Sequence, residues 1–168
     1  EKGQTYLKRE NEMWSWNPTI NRMIKLPPSM LSQGWMGSDY SNDDMINQRS
    51  IVVDYTHEII GEEKIENSNC YKIELIPKED APVVWGKVLL WISQQEYNQR
   101  KIEFYDEFDD LINTMNTYDV QMMGGRKIPT AMDMVPADKL GQKTVMTYQK
   151  AQFDFDIPKS FFSQSQMK

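Results

Sequence analysis

From Ile51 to Phe155 the chain alternates apolar and polar residues in short segments, each ending at turn-forming residues. Successive side chains of a strand point to opposite faces, so this period-two pattern restricts the region to an antiparallel sheet with at least one face on a core. Asp54–Ile65 and Cys70–Pro77 are expected to pair across the turn Glu66-Asn67-Ser68-Asn69. Tyr71, Ile73 and Leu75 then line one face, and Lys72 and Glu74 the other. Val83–Ser93 is apolar on both sides, with Val84, Val88, Leu90 and Ile92 on one and Val83, Trp85, Leu89 and Trp91 on the other. That pattern predicts a central strand covered on both faces. Gln99–Asp106, Leu111–Met122, Lys127–Val135 and Lys143–Phe155 continue the sheet, with turns at Glu107 to Asp110, Gly124-Gly125 and Pro136 to Gly141. Strands spaced this regularly suit a sandwich or an open barrel.

Upstream, Thr5, Tyr6 and Leu7 read as a strand, and Glu12–Trp16 and Ile20–Leu26 form a hairpin around Asn17-Pro18. Trp14 and Trp16 share one face of the first arm; Ile20, Ile24 and Leu26 share one face of the second with Arg22. From Ser29 to Tyr40 the alternation stops. Met30, Leu31, Trp35, Met36 and Tyr40 lie there among Ser and Gly, a composition that predicts a flap or lid. A short helix is expected from Asn42 to about Asn47, with Ser41 as N-cap, Asp44 completing a capping box and Asp43 adding charge near the positive end of the dipole.

The sequence has 168 residues, 39% hydrophobic and 26% charged, with a formal net charge of −6, which fits a single folded domain. No run of Lys and Arg exceeds two residues, so a phosphate backbone would be repelled and nucleic acid is not an expected partner. The longest apolar stretch, around Val88 to Ile92, falls far short of the roughly 20 residues of a membrane-spanning helix. Cys70 is the only cysteine and cannot close an internal disulfide. Its place on the strand puts it opposite Tyr71, Ile73 and Leu75, with no basic neighbour to activate it, so it reads as a quiet thiol.

The residues for chemistry are sparse. His57 is the only histidine, which excludes His pairs and His-rich metal sites, and no G-x-S-x-G elbow marks a nucleophile. Asp106, Glu107, Asp109 and Asp110, and more loosely Asp39, Asp43 and Asp44, lack the alternate ligands, central Gly and distal Glu of an EF-hand. They read as a solvated turn and a charged helix start. No catalytic residue, metal ligand or cofactor is expected, and a lipid or glycan hydrolase is the least favoured reading. The surplus of 12 Met and 5 Trp has two readings: ordinary core packing, or an apolar concavity lined by residues that repack around guests of varied shape. Met132 and Met134 share a face, with Met115 on the neighbouring strand.

Several runs carry a resemblance. Glu12-Met13-Trp14-Ser15-Trp16-Asn17-Pro18, Ile24-Lys25-Leu26-Pro27-Pro28-Ser29-Met30, Gly34-Trp35-Met36-Gly37-Ser38-Asp39-Tyr40-Ser41-Asn42-Asp43-Asp44, Gly124-Gly125-Arg126-Lys127-Ile128-Pro129-Thr130 and Phe161-Phe162-Ser163 resemble the bacterial outer-membrane lipoprotein-sorting proteins, relatives of the LolA and LolB carriers. The resemblance covers nearly the whole chain. It implies a mainly β fold: a curved antiparallel sheet forming an unclosed half-barrel, with one or a few short helices on its concave face and an apolar cavity between. It also implies one LolA-like domain over residues 1–168, preceded in such proteins by a signal peptide, a helix and the first strands. Export to the periplasm and binding of lipoprotein acyl chains or another lipid follow from the same likeness. Trp14, Trp16, Trp35, Met36, Trp85, Trp91, Met132 and Met134 are the expected contributors to the cavity or its lid. The alternative on the same fold is a periplasmic sensor or adaptor whose partner is an envelope protein.

Overall fold

A computed structural model of the chain describes residues 2–9, 12–30, 33–42, 44, 50–81 and 83–168. The chain forms two compact units. One comprises Glu1–Gln48 and Asp154–Lys168, the other Arg49–Phe153.

The first unit is built on a three-stranded antiparallel sheet of β1 (Thr5–Arg9), β2 (Glu12–Asn17) and β3 (Arg22–Lys25), in that order. The expected hairpin forms: the Asn17 side chain accepts hydrogen bonds from the backbone N–H of Thr19 (2.9 Å) and Ile20 (3.4 Å), as turn-forming Asn does. Register sets Leu7 beside Trp14 and Trp14 beside Lys25, with Thr5, Trp16 and Met23 in the next row. Trp14 and Trp16 therefore share a face, and Ile24 lies on the other one, 43% exposed. The C-terminus closes over the Trp-bearing face. Met167 is buried with Leu7 and Trp16, flanked by Trp14 and Met23, and the Thr5 hydroxyl donates to the Met167 carbonyl at 2.7 Å.

Within Ser29 to Tyr40 the chain makes 3₁₀ turns at Pro28–Met30 and Trp35–Gly37, and Gly34 pairs with Ser41. The capping box at Ser41 is formed: Ser41 N–H donates to Asp44 Oδ2 (2.8 Å), and Asp44 N–H donates to Ser41 Oγ (3.0 Å). Asn42 and Asp44 are helical. Asp43 and residues 45–49 of the expected helix lie outside the described residues, as does Leu31.

The second unit opens with a helical turn at Ser50–Val53 and continues as a seven-stranded antiparallel sheet. Its strands are β4 (Tyr55–Ile65), β5 (Ser68–Pro77), β6 (Lys87–Ser93), β7 (Gln99–Tyr105), β8 (Leu111–Met123), β9 (Arg126–Pro136) and β10 (Thr144–Thr147). The order is sequential from β4 to β10, and β4 and β10 remain separate edges, so the sheet is an unclosed half-barrel. Bulges interrupt the ladder at Ile59/Gly61, at Trp91/Ile92 and at Phe104/Tyr105. Each inserts an unpaired residue and bends its strand, the local source of curvature.

The strand expected from Ile20 begins at Arg22, and in the larger sheet three boundaries differ by two residues or more from those expected. The β4–β5 turn has two residues rather than four, because Ile65 pairs directly with Ser68. Glu66 there adopts φ 52°, a left-handed conformation uncommon for Glu, and Arg100 Nη2 holds its carboxylate at 2.7 Å. β6 begins at Lys87 rather than Val83. Gly86 sits so close to the neighbouring chain that a Cβ would stand 2.4 Å from the Asp106 carbonyl oxygen, so the segment before it turns off the ladder. β10 stops at Thr147 rather than Phe155, and beyond it Phe153 packs beneath the Arg126 guanidinium, 4.5 Å from the ring centre. β6 does occupy the expected central place, and Val88, Leu90, Leu89 and Trp91 are buried on its two faces.

Candidate functional site

Cross-strand register gathers the apolar side chains of the larger sheet on one face. Ile59 pairs with Ile73, Ile73 with Leu90, Leu90 with Ile102, Ile102 with Met115, and Met115 with Met134. Paired residues of an antiparallel ladder lie on the same side, so these six form one unbroken apolar row from β4 to β9. Ile102 in its middle is 1% exposed and Met134 at its β9 end 0%, whereas Ile59 at the β4 end is 60% exposed. A second row runs beside it through Leu75, Val88 and Phe104, and a third through Thr117, Met132 and Met146.

Trp85 also belongs to this face. Its ring lies against Phe104, with centroids 5.0 Å apart and a 40° tilt. Continuous alternation would have placed it beside Trp91, but the turn at Gly86 breaks the alternation and returns Trp85 to the Val88 side.

Trp91 is on the opposite face. It packs with Cys70 and Leu89, donates from its indole N–H to Glu63 at 3.0 Å, and is flanked by the ammonium groups of Lys72 and Lys101 at 5.0 and 4.6 Å from the ring. The same face carries a polar chain in which Lys101 contacts Glu103 (2.6 Å) and Tyr105 donates to Glu103 (2.7 Å). Burial opposes ionisation of Glu103, but hydrogen bonds from Lys101 and Tyr105 outweigh it and leave the carboxyl below its ordinary range. Burial, reinforced by the Glu103 hydrogen bond, pushes the Tyr105 phenol up to about 12. Asp133, also on this side, is buried, with one oxygen accepting from Asn116 (2.9 Å) and the other from Lys143 (2.8 Å).

The eight residues expected to line a cavity thus divide between the units. Trp14, Trp16, Trp35 and Met36 belong to the first, where Trp35 stands edge-on to Tyr6 at 6.0 Å and Met36 is 54% exposed. Trp85, Met132 and Met134 come together on the apolar face of the second, and Trp91 is separated from them by the thickness of the sheet. Ile59, Ile73, Leu90 and Ile102 complete the row. Ile73 and Leu90 are assigned to faces by alternation alone; what joins those faces is register, which depends on turn lengths.

His57 is exposed on β4, its Nε2 2.7 Å from the Ile51 carbonyl oxygen. Cys70 is fully buried, its thiol pushed up by that burial. Among the described residues, no group of three or more His, Cys, Asp or Glu is placed to hold a metal ion, and no helix is long and apolar enough to cross a membrane.

A family model described as an uncharacterized protein matches residues 1–168. The chain belongs to that family, whose fold is LolA-like. A DUF1329 family protein from Desulfovibrio piger superposes with a TM-score of 0.87 at 22% identity, over 99% of this chain and 71% of that one. A LolA superfamily protein from Nitrosomonas europaea gives 0.75 at 26% identity, over 97% and 71%. A candidate outer membrane lipoprotein-sorting protein domain from Vibrio parahaemolyticus gives 0.77 at 19% identity, over 93% and 65%. No curated protein matches the chain. The LolA-like sheet places the apolar row on one side of the half-barrel and the Lys101–Glu103–Tyr105 chain on the other.

Proposed function

We propose that the protein is a periplasmic carrier that shelters lipid acyl chains, taking part in the sorting of lipoproteins to the outer membrane. The proposed site is the apolar face of the seven-stranded sheet, with Ile73, Trp85, Met115, Met132 and Met134 among its contacts. Trp91, on the other face, is not part of it.

One observation carries this reading: the row Ile59–Ile73–Leu90–Ile102–Met115–Met134 crosses six strands without a polar side chain. With strands roughly 4.8 Å apart, its five steps span about 24 Å. An acyl chain reaches across one leaflet, half of a hydrocarbon core of about 30 Å, so about 15 Å of row suffices. Burying about 15 methylenes at roughly 0.8 kcal/mol each gives on the order of 12 kcal/mol of driving force, enough to hold a chain without a catalytic or covalent step. Met side chains at the β8–β9 end suit guests of different shape. The solved LolA superfamily and lipoprotein-sorting structures support the same reading through their shared fold.

Adjacent residues on β5 test it, because Ile73 faces the row and Glu74 the other side. In a titration with a fluorescent fatty acid, wild-type protein should show saturable binding. Ile73→Lys should weaken it at least tenfold, and Glu74→Lys should leave it within about twofold. Absence of saturable binding, or equal losses in the two variants, would contradict the proposal.

A further inference from the structure

We infer that the three-stranded unit carries a second binding site, for an oxyanion joined to an apolar body, in the cleft between the β1–β2 ladder and Ser163 to Ser165. The cleft has a volume of about 530 Å³, within the roughly 300–1,000 Å³ of small-molecule sites. Leu7 and Trp14, partners across the ladder, form its apolar part, and the partners Arg9 and Glu12 its charged part.

The polar groups select the charge of the guest. Glu12 is already engaged: its carboxylate is ion-paired with Lys25, whose ammonium also stands 5.7 Å from the centre of the Trp14 ring. Arg9 is exposed, and among the described residues its guanidinium has no carboxylate within ion-pair distance. Ser163 and Ser165 bond to each other at 2.9 Å; since only one hydroxyl proton serves that bond, the other is left to donate. Arg9 and Glu12 are the charged residues of the lining, and Lys25, beside the cleft, pairs with Glu12 and leaves Arg9 as its cation. Arg9 offers donors only, Gln164 and the free serine hydroxyl can donate beside it, and the one carboxylate of the described lining is neutralised by Lys25. A phosphate or carboxylate can take the Arg9 fork in bidentate fashion while its apolar body lies on Leu7 and the Trp14 ring. This cleft is made of the termini of the chain and is separate in composition from the apolar row.

The test uses the full chain and four probes below their micellar concentrations: octyl phosphate, octanoate, octanol and inorganic phosphate. Binding is followed by calorimetry and by the Trp14 indole resonance, assigned with Trp14→Phe. Octyl phosphate or octanoate should shift that resonance and bind at least tenfold more tightly than octanol or inorganic phosphate. Arg9→Gln, an exposed substitution, should erase that preference with the thermal midpoint unchanged. Preference for octyl phosphate over octanoate would identify a phosphate site, and the reverse a carboxylate site. The inference is overturned if Arg9→Gln binds all four as wild type does, if octanol matches the anions, or if the Trp14 resonance does not move. Unchanged acyl binding in Ile73→Lys with this response intact would strike only the carrier proposal.

Discussion

Ile102 and Met134 are among the fully buried side chains of the larger sheet. Both are enclosed, and each touches the next strand's apolar partner in the row. Truncation removes methylenes and leaves a cavity, so Ile102→Ala or Met134→Ala should each lower stability by about 2–5 kcal/mol in denaturant unfolding. On the opposite face the informative residue is Tyr105. Its phenol has an ordinary value of 10.0 and rises to about 12 in the folded chain. Folding thus favours the neutral form, and this contribution is complete below pH 10 and lost as pH rises from about 10 towards 12. A Tyr105→Phe variant should show a flatter decline of thermal midpoint over that interval than the wild type. An identical decline would show that the Tyr105–Glu103 bond does not couple to folding. Neither partner was distinguishable in the sequence, because alternation puts Glu103 and Tyr105 on one side of β7 without saying that Lys101 completes the chain.

Elements were legible where a residue's own backbone preference decides the local structure. Gly124-Gly125 reads as a two-residue hairpin turn, and both glycines do adopt positive φ, 58° and 83°. Gly124 carries a second constraint: a Cβ there would approach the Ala151 carbonyl oxygen at 2.6 Å and the Phe153 ring at 2.9 Å. Gly124→Ala should therefore cost more than Gly125→Ala, whose site is open; the first combines about 1–2 kcal/mol of backbone strain with displacement of the 151–153 segment. Equal midpoints for the two variants would contradict this close approach. The capping box is likewise written in Ser41 and Asp44, and Ser41→Ala, which removes the N-cap, should cost about 0.5–2 kcal/mol. The β4–β5 turn was misjudged because Glu66 holds its left-handed conformation through Arg100, 34 positions away. The start of β6 was misjudged for a similar reason, the approach of Gly86 to Asp106. Such contacts are long-range, and no local pattern announces them.

For the whole molecule, alternation established the fold class and the quoted runs established the LolA-like resemblance, but the composition of the apolar face depends on register. Alternation puts Met132 and Met134 on one face, and the register set by the Gly-Gly turn brings Met115 opposite Met134. Trp85 and Trp91 were placed together because their segment was read as one continuous strand, and the structure sets them on opposite sides. The chain order has its own consequence: the first unit is assembled from residues at both ends of the sequence, and the second from those between. Met167 completes the Leu7–Trp16 core, so deleting residues 164–168 should red-shift tryptophan emission and lower the thermal midpoint. An unchanged spectrum would show that the C-terminal turn does not seal that core.

The position of a bound acyl chain is the decisive observable. With methyl-labelled methionine in the full-length chain, a spin-labelled fatty acid should broaden the Met115, Met132 and Met134 resonances at one equivalent. Met122, 69% exposed at the end of β8, should remain sharp. Broadening led by Met122, or none at Met115, Met132 and Met134 under saturating ligand, would contradict the claim that this face of the sheet receives hydrocarbon.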